Sequence, residues 1–313
     1  MTDLTEPVPP LRAARAAHSV PRPRGLSLGA ALLVPTRLLM FLIVLMPTLI
    51  VVWLSVTDWQ PTQGIPWYRA ELIGLWNYYD LYYDERFTGA VVRTVVLVAA
   101  SVAIELGLGV ALALLFLDDW AWRKFASAVI VLPMMIVPVD AANAFFMLFN
   151  ERGPVNHVLG LIAGRTIETS WLADPTYALI PILLAEVWQW TPLMFLLSLS
   201  AFMNAPRNQL RAAQSLGASP ARIFLQVLLP ISLPILLIAA LVRAIETFKL
   251  FDVIYILTRG GPGTSTETIS MFMYNGAFVY FRSGYVAAAA LIVLVVVAGI
   301  CAVLSRPIAR SPS

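Results

Sequence analysis

Six long apolar runs separated by polar connections organise the chain, at roughly 29–56, 88–117, 125–149, 176–203, 228–258 and 285–305. The runs are continuous rather than alternating, so they read as helices and not as barrel strands. About 20 apolar residues in helical form cross a hydrocarbon core of about 30 Å, and every run reaches that length. The pattern predicts an all-α integral membrane protein with six transmembrane helices. It divides the chain into an N-terminal tail, 1–28, a six-helix domain, 29–305, and a C-terminal tail, 306–313.

The basic residues orient the helices. With the N-terminus inside, the inner segments hold Arg12, Arg15, Arg22, Arg24, Arg123, Lys124, Arg207, Arg211, Arg222, Arg306 and Arg310. The outer loops hold Arg69, Arg86, Arg152, Arg165, Arg259 and Arg282. The excess lies on the inner side, as the positive-inside rule requires, and an even helix count places both termini in the cytoplasm. The tail 1–25, rich in Pro, Ala and Arg, lacks the short apolar core of a cleaved signal. Its arginines favour an anionic inner leaflet of membrane lipid. The outer loops 57–87 and 150–175 carry Trp59, Trp67, Trp76 and the Tyr78–Tyr79 and Tyr82–Tyr83 pairs, as interfacial segments do.

Composition narrows the function. The chain is 59% hydrophobic and 12% charged, with a mean hydropathy of +0.80; soluble domains carry about 25% charged residues. A net charge of +3 gives no sign of a nucleic-acid partner. Cys301 stands alone, and His18 and His157 lie far apart. No metal site and no His- or Cys-based catalytic cluster is therefore expected. No phosphate-binding loop of the Gly-x4-Gly-Lys-Ser/Thr kind is present, so this chain binds no nucleotide cofactor of its own.

The connection between the fourth and fifth runs has its own pattern: "NAPRNQLRAAQSLGASPARIFLQVLLP", 204–230. Pro206 can start a short helix, Gly217 can end it, and Ala221–Leu229 restarts as helix until Pro230. Small residues at Ala212, Ala213, Gly217 and Ala218 admit close approach by another backbone. Spacing alone leaves two readings open: an amphipathic helix on the membrane surface, or a lever gripped by a cytoplasmic partner.

"RAAQSLGASPARIFLQVLLP" resembles the EAA loop of ABC importer permeases. Ala212, Ala213, Gly217, Phe224, Val227, Leu229 and Pro230 fit that pattern. Arg211 stands where the family usually has Glu, and Leu216 where Asp is common. "LIGLWNYYDLYYDERFTGAVVRT", 72–94, resembles the Leu-x-Gly-Leu-x-Asn-Tyr stretch before the second helix of carbohydrate importer permeases. "LFDVIYILTRGGPGTSTET", 250–268, resembles the Gly-Gly-Pro signature of the maltose and glycerol-phosphate type, the first of two paired permeases. The resemblance implies a cytoplasmic coupling-helix loop, 204–228, in which Arg211, Ala212, Ala213, Gly217, Ala218, Ser219 and Phe224 meet an ATPase.

The fifth run also carries "RAIETFKLFD", 243–252, with Arg243, Glu246, Lys249 and Asp252 at every third position and alternating sign. A charge at the centre of a membrane helix costs about 2.5–3.5 kcal/mol on insertion scales. The stripe must therefore face other helices or water, and neighbours three apart can neutralise one another. It reads either as a structural ion ladder or as the wall of a polar path. Arg243, Glu246 and Thr247 are the path candidates; Lys249 and Asp252 are assigned to structure. An ungapped alignment to the maltose permease implies substrate contacts at Arg243, Glu246, Thr247 and Leu250, and at Gln189, Trp190 and Leu193 in the preceding helix. Arg37, Arg93, Glu105, Asp140, Asn143 and Glu186 are the other intramembrane polar residues, assigned to packing or snorkelling; Asp140 and Asn143 share one helical face and are also open to a place on the path.

The expected function is that of a multi-pass permease in the inner (plasma) membrane of a bacterial cell. It would move a sugar or sugar derivative by alternating access. The expected partners are a second homologous permease, two copies of an ABC ATPase that carry ATP and Mg, and an extracytoplasmic substrate-binding protein. A secondary transporter or channel using the intramembrane acids is the alternative, and it predicts repeat-related broken helices.

Overall fold

The structure is a computed structural model that describes residues 28–309, with side chains described for 33–299 and Ala302. The tail 1–27 and residues 310–313 lie outside the described residues, so the N-terminal tail expected to favour the inner leaflet does too. The chain divides into two compact units, the first ending at Ile50 and the second starting at Val51. In the first unit the described side chains are almost all exposed and apolar.

Helix is the dominant element, and an isolated bridge between Thr57 and Leu72 is the β pairing among the described residues. Four helices are long and apolar enough to span: α1, Leu33–Ser55; α3, Glu85–Leu115; α7, Leu179–Met203; and α9, Pro220–Phe248. α2, Trp76–Tyr83, precedes α3. A fifth span is a bent pair, α4, Arg123–Met135, and α5, Pro138–Leu148, which meet at 93°. The remaining elements are α6, Pro154–Ala163; α8, Arg207–Ser215; α10, Asp252–Leu257; α11, Ile269–Val279; and α12, Ser283–Ala309.

Two apolar runs are thus not straight helices. The third turns because Pro138 cannot continue a helix and forces its predecessor out of the helical region. Ile136 and Val137 are extended, with ψ of 136° and 135°. The fifth run begins at Pro220 rather than near 228, and it breaks at Lys249–Phe251 without a proline or glycine. Pro230 does not end the restarted helix. A π turn at Phe224–Leu228 lies just before it; that wider turn accommodates the missing N–H and the ring.

The core is a parallel pairing of α3 and α7 with α9 packed on both. Glycine permits the close contact: a Cβ on Gly109 would lie 2.6 Å from Met194 Cβ and 2.8 Å from the Phe195 nitrogen. At the end of α1, Asn77 of α2 donates to the Ser55 and Thr57 carbonyls at 2.9 and 2.8 Å. This side chain satisfies carbonyls that the end of α1 leaves free, which accounts for the Asn of the 72–94 motif. The Gly-Gly-Pro stretch is a tight turn that uses left-handed backbone at Gly260 (φ 86°) and Gly263 (φ 62°). It is tied to α3 by Glu267, whose carboxylate accepts from Arg86 Nε and Nη2 at 2.7 and 2.6 Å and whose carbonyl accepts from Arg93.

Candidate functional site

Two interruptions adjoin in the second unit. α10, which follows the break at 249–251, packs against α5, which follows the 93° bend. Each interruption frees backbone groups that need partners. At the bend, the Ile136 carbonyl accepts from Gln189 Nε2 of α7 at 2.8 Å. At the break, the Lys249 and Leu250 amides still close onto the Thr247 carbonyl and its neighbour Glu246.

Side-chain exposure is polarised around this break. Glu246 and Lys249 are 51% and 64% exposed and pair with each other at 3.2 Å. Asp252, Asp140 and Asn143 are exposed as well. Beside them, the rings of Phe251, Tyr255 and Tyr274 cluster with centroids 4.9–5.4 Å apart. Charged groups that stay exposed within apolar segments face water or a polar partner rather than acyl chains.

Arg243 faces the other way. It is 1% exposed, and its Nε and Nη2 donate to Glu105 Oε2 and Oε1 at 2.7 and 3.0 Å. Nη2 also donates to Glu186 Oε1 at 2.5 Å. The guanidinium lies 4.7 Å from the Trp190 ring, a cation–π arrangement. Thr247 is buried and reaches Glu186 at 3.4 Å.

The stripe is therefore not one ladder. The expected pairing of Arg243 along its own helix is replaced by pairing across α3 and α7, because those helices bring two carboxylates to it. Lys249 and Asp252, assigned to structure, lie exposed with Glu246; Arg243 and Thr247, assigned to the path, are enclosed. Of the other expected contacts, Gln189 is buried at the bend, while Trp190, Leu193 and Leu250 are half-buried. The ring cluster was missed. Phe251 and Tyr255, four apart, carried a helical-face signal, but Tyr274 joins them only through the turn at 258–268. A cavity of about 540 Å³ lies elsewhere, lined by Glu151, Asn156, His157 and their neighbours around α6.

The 204–228 connection has the helix–turn–helix form its sequence predicts. α8 closes with a Schellman arrangement: the Ala218 amide bonds the Ala213 carbonyl at 3.1 Å, and the Gly217 amide bonds that of Gln214 at 2.9 Å. Gly217 takes φ 78°, a conformation that favours glycine. Ser219 caps the next helix by accepting from the Arg222 amide at 3.4 Å. Leu210 and Phe224 root the connection in a cluster with Phe202, Ala205 and Leu228. Arg211, Ala212, Gly217 and Ser219 are exposed, and Ala213, Ala218 and Phe224 half-buried. Leu216, at the tip, is 88% exposed.

The core is thus α-helical, and an exposed helical knuckle is rooted in it. The chain belongs to the family of binding-protein-dependent transport system inner membrane components, whose model matches residues 103–306. It is the translocation subunit of an ABC importer, a multi-pass inner-membrane protein, and ATP hydrolysis resides in separate ATPase subunits.

The chain is 31% identical over 302 residues to a probable ABC transporter permease protein, y4oQ, of Sinorhizobium fredii, covering 96% of each. It is 31% identical to the sulfoquinovosyl glycerol transport system permease protein SmoG of Agrobacterium fabrum, covering 85% of each. It is 29% identical to the trehalose/maltose transport system permease protein MalF of Thermococcus litoralis, covering 80% of this chain and 84% of that one. Among solved structures, a bacterial ABC transporter that imports the acidic polysaccharide alginate matches with a TM-score of 0.76 at 21% identity, over 90% of this chain and 95% of that one. The MetNI methionine ABC transporter matches with a TM-score of 0.51 at 16% identity, over 72% and 97%. These two matches establish the fold alone. The secondary-transporter alternative is not favoured. The family match and the sugar-permease relatives favour the importer reading instead.

Proposed function

We propose that this chain translocates a sugar or sugar derivative, such as a di- or oligosaccharide, a polyol or a glycerol-phosphate compound. Six spans serve it: α1, α3, the α4–α5 pair, α7, α9 with α10, and α12, with both termini in the cytoplasm. It pairs with a second homologous permease and two ATPase copies, and a binding protein delivers substrate from outside. The names of SmoG and MalF support the sugar class.

The observation that carries the reading is the exposure of Glu246 and Lys249 at a helix break inside an apolar segment. Glu246, Lys249, Asp252 and Asp140 then form a hydrogen-bonding wall for hydroxyl groups, with Trp190, Leu193, Leu250 and the Phe251–Tyr255–Tyr274 rings offering apolar faces to sugar C–H surfaces. The 204–228 loop docks on the ATPase through Arg211, Ala212, Ala213, Gly217, Ala218 and Ser219, with Phe224 as its root. ATP binding biases the access equilibrium through contacts that differ between the two states.

Uptake by the reconstituted transporter tests the reading. Glu246→Ala combined with Lys249→Ala should raise the KM for the sugar at least fivefold while leaving complex yield intact. An unchanged KM would remove these residues from the path.

A further inference from the structure

Arg243 and its two carboxylates lie off the exposed wall, yet among the described residues they are the most completely enclosed charges in the spans. Their side chains are 1%, 0% and 2% exposed. Their positions explain the expense. Glu186 is on α7, the arm that enters the 204–219 connection, and Arg243 is on α9, the arm that leaves it. Glu105 is on α3, which packs on both.

We propose that Arg243 is a positioning residue that fastens the two arms of the coupling loop, and α3 with them, into one rigid lever. A push on the knuckle then displaces three helices together instead of splaying α7 from α9. The inference rests on the coupling-loop reading above. Breaking a desolvated pair strands a charge in a low-dielectric interior, so the joint holds while other contacts exchange.

The two carboxylates are not equivalent. Glu105 gives both oxygens to the guanidinium. Glu186 gives Oε1, while its Oε2 is buried without a partner. One guanidinium faces two carboxyl groups. An amide at 186 keeps the oxygen that Arg243 uses. An amide at 105 puts N–H groups against a guanidinium.

The test uses the full transporter in liposomes and reads sugar imported per ATP hydrolysed. Glu186→Gln should keep this ratio within about twofold of wild type, and Glu105→Gln should lower it about tenfold; the reverse order overturns the proposal. The triple variant Glu105→Gln, Glu186→Gln, Arg243→Met leaves no stranded charge, and uncharged replacements of buried ion triads are often well tolerated. It should assemble with the ratio down about tenfold; an assembled triple variant at the wild-type ratio overturns the proposal. A second measurement is independent of variant folding. Spin labels at the exposed Leu196 and Leu237, with Cys301 replaced by Ser, should give superimposable distances without nucleotide and in the ATP-trapped state. A displaced distribution overturns the lever. If Gly217→Pro also fails to uncouple, the coupling-loop reading falls; if Gly217→Pro uncouples and the triple variant does not, only the lever falls.

Discussion

Gln189→Leu separates a backbone role from a substrate contact at a residue where the two readings differ. The sequence alignment implies that Gln189 touches substrate. In the structure its amide instead donates to the Ile136 carbonyl at 2.8 Å, at the corner of the 93° bend. Leucine is close in volume but donates nothing. A buried carbonyl left unpaired costs about 1–3 kcal/mol. Ile136 is 39% exposed, so water can partly replace the lost donor and the loss falls at about 1 kcal/mol. For a chain of this size that is a fall of about 1–2 °C in the unfolding midpoint. A side chain held by the backbone in this way acts on stability rather than binding, so the KM for the sugar should stay within a factor of about two. Gln189→Glu should lower the midpoint further, because a carboxylate oxygen replaces the donor that faces the carbonyl. The assay is thermal unfolding of the purified transporter together with uptake kinetics. A KM raised severalfold with an unmoved midpoint would refute the argument and return Gln189 to the substrate path.

Three further outcomes are expected. Gly109→Val forces side-chain atoms into backbone now 2.7–2.8 Å from an ideal Cβ, against ordinary contact at about 3.5–4.0 Å; overpacking of this kind costs about 1–3 kcal/mol, read as loss of thermal stability and of recoverable complex. Asn77→Leu removes both donors to the Ser55 and Thr57 carbonyls, with a loss of about 1–3 kcal/mol measurable as faster proteolysis of the segment between α1 and α2. Gly217→Pro cannot adopt φ 78°, since proline holds φ near −65°; membrane insertion should be normal while substrate-stimulated ATPase activity falls about tenfold.

The sequence made some of this legible and hid the rest for identifiable reasons. Hydrophobic length and one left-handed residue are local signals: four of the six apolar runs hold a helix long enough to span, and Gly217 takes the turn conformation its position predicts. The 93° bend had a local cause in Pro138, but a proline permits a kink without setting its angle; packing of α5 against α10 accompanies it. The break at Lys249 carries no glycine or proline signal at all. The Arg243 cluster joins residues 138 and 57 positions apart. The available clue was that Glu105, Glu186 and Arg243 each sit in an apolar run, where an ionised group requires a partner. Reading the stripe by its spacing of three directed attention to neighbours on the same helix and away from partners on other helices.

The central claim is that the 204–228 knuckle is where the ATPase drives this subunit. Leu216, 88% exposed at its tip, tests it directly. With Cys301 replaced by Ser, a cysteine at 216 should react readily with a maleimide reagent from the cytoplasmic side in membranes that lack the ATPase, and should be protected about tenfold or more once the ATPase is bound. Equal labelling in the two preparations would contradict the account.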